Sequence, residues 1–268
     1  MYRVLTSTTR RVYAGVAIDG DQVSFNWKSD DSSEDVLSLV EDMSGQYNED
    51  GVRYIYGYEY NSSASSEQKK VFRNCIKHFD LTSNLYSDIF EFVDWAVVRL
   101  DSHYSLDNFS VTIRVESSKS PSLVDEIDAH ISEYCRNLDV SFELLKKTYK
   151  DVSFDQDKAL QVLLDSGYKR SRADYMIRRC LSQFERLKSS GELFQMKKFL
   201  PREIRSGFHD FLQFKSDEER ELYETLQGVD VLIYDDFLTS GSTVKEIVRY
   251  LRSINDHNRL TVFVLVKQ

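Results

Sequence analysis

Apolar residues change period along the chain, and the changes mark out elements. RVYAGVAI, a DGD turn and VSFNW alternate as short strands do, which predicts a β-hairpin over residues 1 to about 28. In SDDSSEDVLSLVEDMSGQY, Val36, Leu37, Leu39, Val40 and Met43 recur at helical spacing before Gly45, which predicts a short capped helix. VRYIYGYEY, residues 52–60, reads as a strand. Ser66 is placed to cap a helix whose apolar face would hold Val71, Phe72, Cys75, Ile76 and Phe79. An amphipathic stretch at 84–93 is expected to precede VDWAVVRL as a mostly apolar strand.

The second half is more regular. FSVTIRV at 109–115 predicts a strand and SPSLVDEIDAHISEYCRN a helix, with Ser122 and Asp125 spaced as a capping pair. LDVSFELLKK predicts the next strand. From about Phe154 to Leu193 the pattern is helical and charged, and then VDVLIYDDF, STVKEIVRYLRSI and RLTVFVLVKQ read as strand, helix and strand. Strands separated by helices imply an α/β protein with a mainly parallel twisted sheet flanked by helices. The first 51 residues are expected to form a small α+β hood. Residues 52–268 are then the main α/β domain, interrupted by a helical insertion at about 150–200.

Composition narrows the class. With 2 Pro, 10 Gly and 13% aromatics in 268 residues, disorder and fibrous repeats are excluded. No run approaches the length of a membrane span and the first twenty residues lack an apolar signal core, so a cytoplasmic protein without membrane contact is expected. Cys75, Cys135 and Cys180 are widely spaced, and none forms a CxxC pair. Inert thiols are expected rather than disulfides or zinc. A net charge of −9 argues against a sequence-independent grip on nucleic acid. Positive charge is nevertheless concentrated between Lys146 and Arg205, in KKTYK, YKRSRADYMIRR and QMKKFLPREIR. Interleaved Tyr and Phe keep open a docking surface there, against the simpler reading of solvated helix faces.

The most specific segment is VLIYDDFLTSGSTVKEIVRYL, residues 231–251. An apolar strand delivers Asp235 and Asp236 to its C-terminal end, where open α/β sheets place ligands. The turn Thr239, Ser240, Gly241, Ser242 and Thr243 then opens a helix whose first N–H groups favour an anion, with the hydroxyls as further donors. The acids would repel a bare phosphate but suit ribose hydroxyls or a Mg²⁺ ion bound through them. Together these features describe a site for a phosphorylated sugar.

VLIYDDFLTSGST resembles the phosphoribosyl pyrophosphate (PRPP) binding signature of type I phosphoribosyltransferases. The resemblance implies that Asp235 and Asp236 contact the ribose, with any metal held indirectly through ribose or water, and that Thr239–Thr243 cradles the 5-phosphate. Tyr234 and Phe237 are bulkier than the family's usual aliphatics. VTIRVESSKSPSLVDEI resembles the family's pyrophosphate loop, which implies pyrophosphate binding by Ser117, Ser118 and Lys119. ELLKKTYKDVS sits where the family's strand enters a mobile catalytic loop, which implies that Lys146 and Lys147 reach the pyrophosphate beside the acid pair in catalysis. The order of strand, basic loop, IRSGFHDF and signature is similar to that of ComF-type members and singles out Arg205.

The resemblance implies both a fold and a function. The fold would be a type I, Rossmann-like core with a hood. The function would be transfer of a phosphoribosyl group from PRPP, with Mg²⁺, to an unidentified nitrogen acceptor. Thr239 stands where the branch acting on 6-oxopurines has an Asp, which speaks against hypoxanthine or guanine. The insertion would be a hood, a partner surface or part of a homodimer. A PRTase-like nucleotide-binding or regulatory module without turnover is the alternative.

Overall fold

In a computed structural model of the chain, residues 15–19, 22–26, 36–40, 43, 45–48, 51–77, 85–116, 122–238 and 241–267 are described. By internal contacts the chain divides into two units. One is formed by Met1–Asn108, Ser117–Asn137 and Phe263–Gln268, the other by Phe109–Glu116 and Leu138–Val262.

In the first unit, β1 (Gly15–Asp19) and β2 (Gln22–Asn26) pair antiparallel as the expected hairpin. Its expected flanks at 1–14 and 27–28 lie outside the described residues. The helix expected around Val36–Met43 is instead a strand, β3 (Leu37–Leu39), antiparallel to β5 (Arg53–Tyr60); β4 (Gln46–Tyr47) also pairs with β5. The five-residue stretch Val36–Val40, apolar except for Ser38, fits either period. Here backbone partners decide: Val36 donates to the Val16 carbonyl and Val40 to that of Gly57. Beyond β5, the sheet of this unit continues to the C-terminal half of β12 (Arg259–Lys267).

Helix α1 (Ser66–Lys77) forms as expected, but its cap is one residue earlier than Ser66. Ser65 Oγ accepts the Gln68 N–H while Gln68 Oε1 accepts the Ser65 N–H, a reciprocal capping box. Phe79 lies outside the described residues. The strand expected at VDWAVVRL is the second half of one long helix, α2 (Tyr86–Tyr104). Its buried positions Ile89, Phe92, Val93, Ala96, Val97 and Leu100 keep a 3.6-residue period throughout. Helix α3 (Leu123–Tyr134) opens on the predicted capping box of Ser122 and Asp125.

The second unit carries the parallel strands. β6 (Val111–Val115) pairs parallel with β7 (Val140–Lys146), in register Val111 to Val140 and Val115 to Leu144. After β8 (Ser153–Phe154) come α4 (Gln156–Asp165) and α5 (Arg170–Lys188), the helical stretch expected from sequence. β9 (Phe208–His209) pairs antiparallel with β8, and β10 (Leu212–Gln213) antiparallel with β7. α6 (Asp217–Thr225) precedes β11 (Asp230–Leu238), which runs parallel to β6 with Ile233 opposite Ile113. α7 (Ser242–Ile254) leads to β12, whose first residue meets the start of β11 through a two-pronged Arg259–Asp230 pair at 2.8 and 2.6 Å.

The strand order in this unit is β10-β7-β6-β11-β12. The arrangement is α/β, but the sheet is mixed rather than mainly parallel. Two-residue edge strands such as β10 carry too little pattern to be read from sequence.

The α4–α5 segment has an apolar interior of its own. Tyr149, Phe184, Phe194, Phe199 and Phe208 are buried, and their rings stand 4.4 Å apart for Phe199–Phe208, 5.2 Å for Phe184–Phe208 and 5.3 Å for Tyr149–Phe194. The Tyr149 hydroxyl accepts the Gln195 N–H at 3.1 Å, so its polar tip is satisfied inside the cluster. Among the described residues, no helix is long and apolar enough to cross a membrane.

Candidate phosphate-sugar site

β6, β7 and β11 run the same way, so their C-terminal ends lie together at one edge of the second unit's sheet. Ligands of open α/β sheets bind at this edge. Val231 to Tyr234 are buried and anchor β11, and the strand emerges at the half-buried Asp235 and Asp236. Side chains alternate across a strand, so the two acids point to opposite faces. Asp235, on the face of Phe237, lines a small cleft of ≈ 20 Å³ together with Phe237, Leu238, Gly241, Ser242, Thr243 and Val244. Asp236 is not part of that lining. Each carboxylate also accepts a backbone N–H from the next residue, Asp235 from Asp236 at 2.8 Å and Asp236 from Phe237 at 2.7 Å, which fixes the strand's exit.

Gly241 is the N-cap of α7, with φ 67° and ψ 3°. A Cβ there would meet only Leu238 Cδ1, at 3.5 Å, so the demand for glycine is conformational rather than one of space. A glycine cap offers no side chain to the helix's first N–H groups, and the first turn holds no acid. The cleft wall formed by Gly241–Thr243 is thus the positive end of a 13-residue helix.

For Mg²⁺ the donor set is spare. No cluster of three or more His, Cys, Asp or Glu that could hold a metal occurs among the described residues. With Asp235 alone facing the cleft, one carboxylate suits an ion that keeps several waters and completes its shell from a ligand's phosphates, which is how Mg²⁺ is usually held.

Lys146 ends β7 and Lys147 follows it. The Lys147 N–H donates to the Phe211 carbonyl at 2.9 Å, and its own carbonyl accepts from Phe194. Strand spacing puts β7 about 10 Å from β11, across β6. Leu144 is level with Val115, and Asp235 is two residues past Ile233, the partner of Ile113, so Lys146 stands about 7 Å farther along than Asp235.

Arg205 lies in a 3₁₀ segment, Arg202–Gly207, with Nε donating to the Phe199 carbonyl at 3.0 Å. Burial and the neighbouring Arg202 lower its pKa from the ordinary value. The geometry therefore ties Arg205 to the aromatic cluster. Ser117, Ser118, Lys119, Thr239 and Ser240 lie outside the described residues.

No protein-family model matches the chain, and no curated protein matches it. Among solved structures it is similar to a hypoxanthine phosphoribosyltransferase from Staphylococcus aureus, at 13% sequence identity and a TM-score of 0.32, over 73% of this chain and 69% of that one. Overlap at that level fixes neither family nor activity.

Sequence reasoning missed a polar network behind α7. The buried Glu246 accepts the Phe211 N–H at 3.2 Å and pairs with Arg249 Nε at 2.8 Å. Arg249 also reaches Asp210 at 2.6 Å, and Asp210 meets His209 Nδ1 at 2.7 Å. Asp210 holds φ 61°, a left-handed conformation that Asp tolerates better than most residues.

Burial works against ionising Asp210, but hydrogen bonds from Ser153, His209 and Arg249 outweigh it and hold its pKa below the ordinary value. Hydrogen bonding to Glu246, and then to Asp210, raises that of Arg249. The network locks α7, and with it the cleft wall, onto the turn before β10. The readable signal was an acid three residues before an arginine on a strongly amphipathic helix.

Proposed function

We propose that the chain binds a 5-phosphorylated ribose at the end of β11 and, with PRPP as donor and Mg²⁺ present, transfers the phosphoribosyl group to a nitrogen acceptor. One observation carries this reading: Asp235 and the glycine-capped start of α7 line the same cleft, at the ligand edge of a parallel three-strand set. In the reaction the acceptor nitrogen attacks the anomeric carbon and the bond to the pyrophosphate oxygen breaks. The pyrophosphate leaves with the electron pair, and the acceptor nitrogen gives up a proton to water or to the departing pyrophosphate.

Asp235 accepts from the ribose hydroxyls, and the N–H groups at Ser242 and Thr243 meet the 5-phosphate together with Thr239 and Ser240. Lys146 and Lys147 offset charge on the leaving group. Asp236 assists the metal through water, and Mg²⁺ when bound supplies further neutralisation of the pyrophosphate.

Titration calorimetry with PRPP and Mg²⁺ tests the binding step. A saturable heat is expected, weakened at least tenfold by Asp235→Asn, and no heat at millimolar PRPP would refute the reading. One observation favours a second reading, a binding module without turnover. The cleft encloses only ≈ 20 Å³, far below the ~300 Å³ at which small-molecule sites usually begin, so a bound group would be held at its rim rather than sequestered from water. Release of pyrophosphate with any base or amine acceptor would eliminate that second reading.

A further inference from the structure

We infer that the outward face of α5 is a docking surface for single-stranded nucleic acid, held through its phosphates. The chain as a whole is acidic at −9, yet residues 169–188 carry five Arg and two Lys against only Asp174 and Glu185. Buried Ala173, Ile177, Cys180 and Phe184 define the helix's inner side. At 100° per residue, Arg172, Arg179 and Arg186 fall in one row on the opposite side, successive members about 10 Å apart, with Tyr175 beside them. All four are exposed, Tyr175 to 60%.

Arg170 and Lys188 are engaged within the helix, with Asp174 at 3.4 Å and Glu185 at 2.8 Å. Arg172, Arg178, Arg179 and Arg186 join no ion pair among the described residues. A face kept only for solubility mixes both signs of charge, whereas this row is of one sign.

The helix start points the same way. Lys169 makes no side-chain cap, and the first turn holds Arg170 and Arg172 with no acid, which sets positive charge against the positive end of the helix dipole. α6, by contrast, begins with Ser216 as cap and Asp217, Glu218 and Glu219 behind it. A bound polyanion would offset the like-charge cost at α5. Among polyanions, Tyr175 in line with the arginines favours a strand with unstacked bases over an acidic peptide, since an exposed ring offers a stacking platform.

The test is fluorescence anisotropy with labelled dT20 and U20 at 50 and 200 mM salt, using the full chain. Three phosphate contacts give a log–log salt slope of about −2, so affinity should fall roughly fifteenfold over that range. Arg172→Gln, Arg179→Gln and Arg186→Gln combined should abolish most of the binding and flatten the slope. Gln keeps helix propensity near that of Arg, and circular dichroism confirms that the variant is folded.

A control combining Arg136→Gln, Lys158→Gln and Arg220→Gln changes net charge equally, at exposed positions elsewhere, and should bind as the parent does. Tyr175→Ala should weaken binding about fivefold or more. The inference is overturned by no saturable binding to either oligonucleotide at 50 mM salt, by equal loss in the control, or by a triple arginine variant that binds like the parent. Equal or tighter binding of duplex DNA or poly-glutamate would overturn the choice of occupant.

Discussion

Glu246 is the residue whose replacement tests most directly how the cleft is built. Its carboxylate is almost wholly buried, at 3% side-chain exposure, while its partner Arg249 is at 42%. It holds both the Phe211 N–H and the Arg249 guanidinium. Glu246→Ala leaves the Phe211 N–H without its acceptor, at about 1–3 kcal/mol. It also removes one partner of a half-buried ion pair, which costs less than the ~3–5 kcal/mol of a fully buried one because Arg249 keeps water and Asp210.

A loss of about 3 kcal/mol is expected for Glu246→Ala. Glu246→Gln, which keeps an acceptor for the amide and for Arg249 but not the charge, should lose about 1–2 kcal/mol. Urea unfolding followed at 222 nm measures both values. Amide exchange adds a local readout, in which Phe211 should lose protection in the Ala variant ahead of the β6 and β11 amides. Equal losses for Ala and Gln, or an Ala variant within 0.5 kcal/mol of the parent, would refute the assignment of Glu246 as the joint between α7 and β10.

Two glycines and one aspartate give three further expected outcomes. A Cβ on Gly207 would stand 2.6 Å from the Asp155 carbonyl oxygen, 2.8 Å from Phe154 Cε2 and 2.9 Å from Ala159 Cβ. Gly207→Ala should therefore cost about 1–3 kcal/mol, read as a drop of several degrees in Tm by calorimetry; an unchanged Tm contradicts it. Gly241→Ala should cost about 1–2 kcal/mol from its positive φ alone and weaken phosphate-sugar binding in the same calorimetric titration. Asp210 ionises more readily folded than unfolded, so its contribution is complete above the ordinary Asp pKa of about 3.9 and is lost as pH falls through the depressed native value. Acid unfolding curves of Asp210→Asn should therefore lose less stability than the parent between about pH 4 and 2, and parallel curves would contradict this.

Much of the chain from α3 onward was legible because its elements are long and bounded by chemistry that reads locally. The Ser122–Asp125 capping box, the apolar β11 and the amphipathic α7 each declare themselves within a dozen residues. The misread elements failed for identifiable reasons. Taking VDWAVVRL as a separate window hid a period that starts at Ile89 and runs unbroken to Leu100.

At Val36–Val40 a short run satisfied both periods, and pairing with β5, far away in sequence, decided between them. The cap at Ser65 was readable from the Gln three residues on. For the site, the order of strand, acids, glycine turn and helix was visible in the sequence. The pleat's assignment of Asp235 rather than Asp236 to the cleft needed the strand's actual register, and so did the capture of Arg205 by the Phe199 carbonyl.

The ring cluster of Tyr149, Phe184, Phe194, Phe199 and Phe208 has an evolutionary consequence. Because α5 is anchored from within by Ala173, Ile177, Cys180 and Phe184, its outer residues bear no packing duty, and they can drift without transmitting strain to the strands that carry Asp235. Substitutions on the outer face of α5 and at the strand ends would thereby act separately, the former on surface charge and the latter on the geometry of the cleft.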